Sequence, residues 1–169
     1  MQDCIALMRQ TLLEYTQKNA VQVLRTAMQV EEGKILGVMP AAYLPLSVAG
    51  TKVITVFPGN FKRGLPSHQG VVVLFDTETG ALRAVVDGEA VTGVRTAAVS
   101  AVATDLLARK DAEVLAMLGA GQQARRHLQA ISMVRPIREV RVWDIDPAAA
   151  ARYAAEMQQY YGIPVRDCS

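Results

Sequence analysis

The sequence is poor in cysteine and aromatics and has no imbalance of charge, and each scarcity closes off a class of function. Cys4 and Cys168 are its only cysteines and stand near opposite ends. That arrangement has no metal-ligand or redox spacing, so the reading is a reduced, cytosolic protein without metal or disulfide. Against 16 Asp plus Glu there are 18 Lys plus Arg, a net charge of +2, which gives no electrostatic case for nucleic acid. No apolar run approaches a membrane span, and residues 1–10 lack a signal-peptide pattern, so no membrane partner is expected. The 51% of apolar residues is nonetheless ample for a core.

The most informative stretch present runs from Glu113 to Asp146. Glu113-Val114-Leu115-Ala116-Met117-Leu118 is an apolar run of strand length, Gly119-Ala120-Gly121-Gln122-Gln123-Ala124 a glycine turn, and a helical pattern follows to about Val134. Glu139 to Asp144 then makes a second strand ending in an acid. This is a βαβ unit of dinucleotide-binding type. Gly119 allows the sharp turn, and Gly121 has no Cβ to keep a pyrophosphate from the amides at the helix N-terminus. Ala124 replaces the usual third glycine. Asp144, 25 residues after Gly119, is placed to accept hydrogen bonds from ribose hydroxyls and to repel a 2′-phosphate, favouring NAD over NADP. The alternative is a tight strand-to-helix turn with no ligand.

Ahead of this unit, the periodicity predicts a helix over Asp3 to Lys18, strands over Val21 to Val30 and Lys34 to Leu44 around a Glu32-Gly33 turn, and a strand over Thr51 to Phe57. A loop from Phe61 to Gln69 follows, carrying Lys62, Arg63 and His68. Strands over Val71 to Phe75 and Ala81 to Val86 flank a turn at residues 76–80. An alanine-rich helix is expected from Thr92 to Ala108, with Thr92 and Thr96 as candidate caps or cofactor contacts. After Asp144, a helix from Pro147 to Tyr161 capped by Gly162 leads into the start of a third parallel strand at Ile163 to Arg166.

Several separated motifs in order carry a resemblance. Gly37-Val38-Met39-Pro40, Thr51-Lys52-Val53, Pro58-Gly59-Asn60, Thr92-Gly93-Val94-Arg95-Thr96-Ala97-Ala98 and the Gly119 to Ala124 turn resemble the ornithine cyclodeaminase and mu-crystallin family. The resemblance covers about Asp3 to Ser169 and matches the N-terminal half of longer members. It implies an α/β chain: an N-terminal α+β substrate-binding and dimerisation domain over residues 1–110, then the first half of a Rossmann NAD(P)-binding domain over residues 111–169. The family's catalytic aspartate is expected to lie in the other half. The implied chemistry moves a hydride between NAD(P) and the α-carbon of an amino or imino acid. Ornithine cyclodeaminases convert ornithine to proline and ammonia; relatives act as alanine dehydrogenases, ketimine reductases or pyrroline-2-carboxylate reductases. A further reading is a non-catalytic, mu-crystallin-like binder of small ligands. A homodimer is implied as well.

A substrate of this class has a carboxylate beside the reacting carbon, which fixed cations must clamp. Arg25, Lys52 and Arg95 match basic positions of the family site. Lys52 sits in an apolar strand, where partial desolvation disfavours its charged form and suits it to proton transfer at the substrate nitrogen; an edge-strand lysine that discourages aggregation is the alternative. Arg95 is expected near a helix start, facing a cleft, or else as a surface arginine. Asn60 either orients a loop over the nicotinamide or bonds its own turn. His68 and Gln69 belong to a loop that in the family lies near substrate. His68, a potential proton donor, leans with Gln69 toward the ketimine reductase side, while Asp144 leans toward NAD. Cofactor contacts are expected at Gly119, Ala120, Gly121, Gln122, Gln123, Asp144 and Asn60.

Overall fold

The computed structural model describes residues 1–169, the side chain of residue 61 excepted. It divides into two compact units, Gln10–Thr92 on one side and Met1–Arg9 with Gly93–Ser169 on the other. Helices α1 (Gln2–Thr16) and α2 (Gly88–Leu107) each lend residues to both.

The first unit is built on an antiparallel sheet of β1 (Ala20–Gln22), β2 (Thr26–Glu31), β3 (Lys34–Tyr43), β4 (Val48–Val56), β5 (His68–Asp76) and β6 (Leu82–Asp87). The order is β1-β3-β4-β5-β6, with β2 also paired to β3. The expected strand over Val21 to Val30 is broken at residues 23–25. The break lies opposite Met39 and Pro40, between the pairs Gln22↔Ala41 and Thr26↔Val38, and Pro40 has no N–H to give a ladder. Two other boundaries move for non-local reasons. His68 and Gln69, expected in a loop, open β5 because they pair with Val56 and Thr55 of β4. Helix α2 starts at Gly88 rather than Thr92, since the Asp87 carboxylate accepts the Ala90 N–H at 2.7 Å and supplies the cap.

Gly88 lets that helix start lie directly on β5, and Gly70 lets β5 lie close on β4. A Cβ on Gly70 would stand 2.2 Å from the Val53 carbonyl oxygen, and one on Gly88 would stand 2.8 Å from the Gly70 carbonyl. No larger residue fits either place without backbone movement.

The second unit carries the parallel sheet β7-β8-β9, formed by β7 (Val114–Leu118), β8 (Glu139–Trp143) and β9 (Val165–Asp167). Helices α3 (Gln122–Ile131) and α4 (Pro147–Tyr161) make the crossovers. As the sequence predicts, Pro147 opens α4 and Gly162 ends it, at φ +67° with its N–H on the Gln158 carbonyl; Asp146 adds an N-cap. The core here holds Leu128, Val140, Val142 and Tyr153, all below 2% exposed; full burial stabilises by about 1.5–3 kcal/mol for each aliphatic side chain. A second cluster packs Ala97, Ala98, Ala101 and Val102 of α2 with Ile5 and Ala130, so the expected joint at residues 110/111 falls inside this unit. By length and composition the 20-residue α2 passes as a membrane span, with an 18-residue window of mean hydropathy 1.2. That departs from the expectation of no such run, and 22% of the stretch is buried.

Arg135 closes the C-terminal end of α2. Its side chain is 2% exposed, pairs with Asp105, and donates to the carbonyls of Thr104, Asp105, Ala108 and Arg109. These carbonyls lie where intrahelical donors run out, and a buried guanidinium reaches several at once.

Candidate functional site

The glycine turn between β7 and α3 is held by three backbone devices. Gly119 sits at φ +103°, a conformation that side chains disfavour, and its N–H donates to the Trp143 carbonyl at 2.7 Å. The Ala120 N–H donates to Asp144 Oδ2 at 2.7 Å. Gly121 then precedes α3 at φ −81°, ψ −166°, and no side chain caps the helix. The helix start thus has no capping side chain from its N-cap residue, a condition that suits an anion there.

The two glycines differ in what requires them. Gly119 is required by its own backbone. Gly121 is not: its dihedrals are open to any residue, and a Cβ there would meet no atom within 4 Å. Nothing in the chain itself asks for glycine at 121, whereas the close approach of a pyrophosphate does.

Asp144 has more to do than the sequence implies. Its Oδ1 accepts the Asp146 N–H at 2.9 Å while Oδ2 takes that of Ala120. These amides, Asp146 first and then Ala120, hold its carboxyl below the usual range. Gln122 and Gln123 are exposed at the first turn of α3. Ala120 is buried in the core and spends its N–H on Asp144.

Sequence reasoning missed the support behind this turn. Arg125 Nη1 donates to the Ala120 and Gly121 carbonyls at 3.1 and 3.4 Å, and its other nitrogens grip Glu156 of α4. The buried Tyr153 hydroxyl donates to the Ala124 carbonyl at 3.2 Å. Partners about thirty residues apart leave no local pattern, so no sequence signal could have found them.

In the first unit, Lys52 is half-buried on β4 between Met39 of β3 and Val72 of β5. Its Nζ donates to Thr92 Oγ1 at 3.2 Å, and that hydroxyl donates to the Gly88 carbonyl at 2.6 Å. Thr92 is thus a lysine partner in the second turn of α2 and not its cap; Thr96 likewise lies inside the helix. A groove of about 480 Å³ runs along this face, lined by Tyr15, Gln22, Met39, Lys52, Val72 and Leu74 among others.

The other expected site residues are distributed unevenly. Arg25 is exposed in the break between β1 and β2 and not in a strand, next to Thr26, which pairs with Val38 of β3. His68 shares the Lys52 face by alternation, roughly 13 Å along the sheet, and its Nδ1 meets Ser67 Oγ at 2.9 Å. Gln69 falls on the opposite face, its amide donating to the Pro66 carbonyl at 3.3 Å, so the pair is split across the sheet. Asn60 is 8% exposed and its Nδ2 donates to the Pro66 carbonyl at 3.0 Å. Arg95 is exposed at the eighth position of α2, farther from the helix start than expected. Among the described residues, no group of three or more His, Cys, Asp or Glu is placed to hold a metal.

The model of the Ornithine cyclodeaminase/mu-crystallin family matches residues 1–169. The chain belongs to this family. Ketimine reductase mu-crystallin of Mus musculus is 40% identical over 150 residues, covering 88% of this chain and 47% of that protein. The Delta(1)-pyrroline-2-carboxylate reductase of Thermococcus litoralis, solved with NADH and L-proline, superposes at TM-score 0.95 with 36% identity over 99% of this chain and 52% of that one. An archaeal alanine dehydrogenase dimer with bound NAD gives TM-score 0.92 at 28% identity, over 99% of this chain and 51% of that one. The chain spans about half the length of the curated relatives it matches. The expected mixed α/β architecture is that of these family members, and several have been solved with NAD or NADH.

Proposed function

We propose that this chain is the nucleotide-turn and lysine-bearing portion of an NAD-linked oxidoreductase acting at the α-carbon of a small amino or imino acid. The observation that carries the reading is Gly121, whose absent side chain leaves room that the protein does not use itself. The residues fit a pyrophosphate there: a helix start whose N-cap glycine gives no side-chain cap, an open approach and an ionised Asp144 assigned to the ribose side. When bound, NAD supplies or takes the hydride. Asp144 favours NAD over NADP by repulsion of a 2′-phosphate.

The chain's own residues do the rest. Lys52, seated between apolar neighbours and steadied by Thr92, is assigned to hold the substrate carboxylate and to move a proton at its nitrogen. Arg25, in the break beside β2, is assigned to the same carboxylate, and Arg95, three residues after Thr92 on α2, is assigned a substrate-binding role of its own. His68 is assigned a proton-donating role on the Lys52 face. Residues 1–110 supply the substrate side and residues 111–169 the nucleotide side. The protein is assigned to the cytoplasm.

Among family reactions, reduction of a cyclic imino acid is favoured over cyclisation of ornithine. His68-Gln69 leans that way, and two of the relatives above are named as reductases of such imines. A homodimer is part of the reading. The sheet face opposite Lys52 exposes Val71, Phe75 and Val85 at 40%, 38% and 60%, an apolar surface that a second copy would cover.

The test compares pyrroline-2-carboxylate plus NADH with ornithine plus NAD. Oxidation of NADH by the imino acid, lost in Lys52→Met, supports the reductase reading. Proline and ammonia from ornithine would replace it with cyclodeaminase chemistry. Cofactor binding with turnover of neither would replace it with a non-catalytic binder.

A further inference from the structure

We infer that Arg125 is a positioning residue for the cofactor: its guanidinium pins two carbonyls of the glycine turn from behind and thereby aims that turn's N–H groups outward. The inference rests on the nucleotide reading of the turn and names the device that gives the turn its binding shape.

The peptide bonds of this turn are trans, so in each peptide plane the C=O and the following N–H point in opposite directions. Fixing the Ala120 carbonyl therefore fixes the direction of the Gly121 N–H, and fixing the Gly121 carbonyl fixes that of the Gln122 N–H. Arg125 Nη1 reaches both carbonyls, at 3.1 and 3.4 Å. The N–H groups then face away from Arg125. Gly121 needs such help, because a glycine between two amides is the place where peptide planes rotate most freely.

The arginine is itself fixed. Its Nε and Nη2 make a two-pronged pair with Glu156, and its guanidinium carbon lies 5.5 Å from the ring centroid of Tyr153. Tyr153 is fully buried and anchored on the Ala124 carbonyl. The fork geometry matters, since lysine has one nitrogen and cannot hold both the carboxylate and the turn. With three nitrogens so committed, Arg125 acts through the turn and not on the phosphates.

The experiment titrates the 169-residue chain and its Arg125→Met and Glu156→Gln variants with ADP-ribose and with adenosine, by calorimetry. ADP-ribose carries the pyrophosphate; adenosine carries only the ribose and base on the Asp144 side. Arg125→Met is expected to weaken ADP-ribose about tenfold, the worth of a charge-assisted hydrogen bond, with adenosine unchanged. Glu156→Gln, which loosens the arginine without touching the turn, shifts ADP-ribose the same way by a smaller factor. Equal losses for both ligands would make Arg125 a purely structural residue and overturn the inference. So would undiminished ADP-ribose binding in Arg125→Met. If the unsubstituted chain binds neither ligand, the nucleotide reading itself falls, a result distinct from either.

Discussion

Replacing Gly119 and Gly121 by alanine, one at a time, separates the demands of the fold from those of a ligand. At Gly119, φ is +103°, and an alanine there costs about 1–3 kcal/mol of backbone strain. For a domain of this size each kcal/mol moves the melting temperature by about 2–4 °C, so Gly119→Ala is expected to melt roughly 2–12 °C lower. At Gly121 the dihedrals are ordinary and the added methyl meets nothing within 4 Å. Alanine there restricts the unfolded chain and stabilises by about 0.4–1 kcal/mol. Gly121→Ala should melt at or slightly above the parent, yet bind NADH at least about tenfold more weakly, because its methyl occupies the approach of the pyrophosphate. Melting is followed through Trp143, the only tryptophan, which lies in the same unit. Gly121→Ala melting as far below the parent as Gly119→Ala would mean that the fold needs that glycine. Gly121→Ala binding NADH as well as the parent would mean that the open space belongs to no ligand. Either result refutes the reasoning.

Other consequences can be checked separately. Arg135→Met leaves Asp105 and four carbonyls without their buried donor; urea unfolding is expected to show a loss of about 3–5 kcal/mol. Gly88→Ala puts a methyl 2.8 Å from the Gly70 backbone, and a loss of about 1–3 kcal/mol in the same assay would support a tight seat for α2 on β5. Asp76 is held down from 3.8 to about 2, first by the Thr79 N–H and then by Arg83 and the Thr79 hydroxyl. A depressed carboxylate contributes stability that is full above its unfolded value and lost as pH falls through its folded one. Acid unfolding between pH 3.8 and about 2 should therefore be shallower in Asp76→Asn; an unchanged acid limb would remove Asp76 from the account.

What could be read in the sequence follows the range of the forces involved. The second unit was legible almost element by element, because its parallel strands are short apolar runs and its helix ends carry their own signals, Pro147 and Gly162. The first unit was legible in number of strands and less so in bounds. His68 and Gln69 are strand residues because β4 pairs with them, and the gap holding Arg25 exists opposite Pro40; neither cause is local. The start of α2 did have a local signal, Asp87 before Gly88-Glu89-Ala90, which the turn-like glycine obscured. At the nucleotide turn the ligand-facing residues showed in the motif, while Arg125, Glu156 and Tyr153 behind it did not, since the contacts join separate helices.

The central claim is that the β7-α3-β8 unit holds NAD, and titration of the chain with NADH and NADPH tests it most directly. Trp143 adjoins Asp144, so quenching of its fluorescence and energy transfer to the nicotinamide report a ligand on this unit. The account predicts saturable NADH binding, tighter than NADPH, with the preference lost in Asp144→Ala. Absence of any saturable signal, from a chain that circular dichroism shows to be folded, would contradict it.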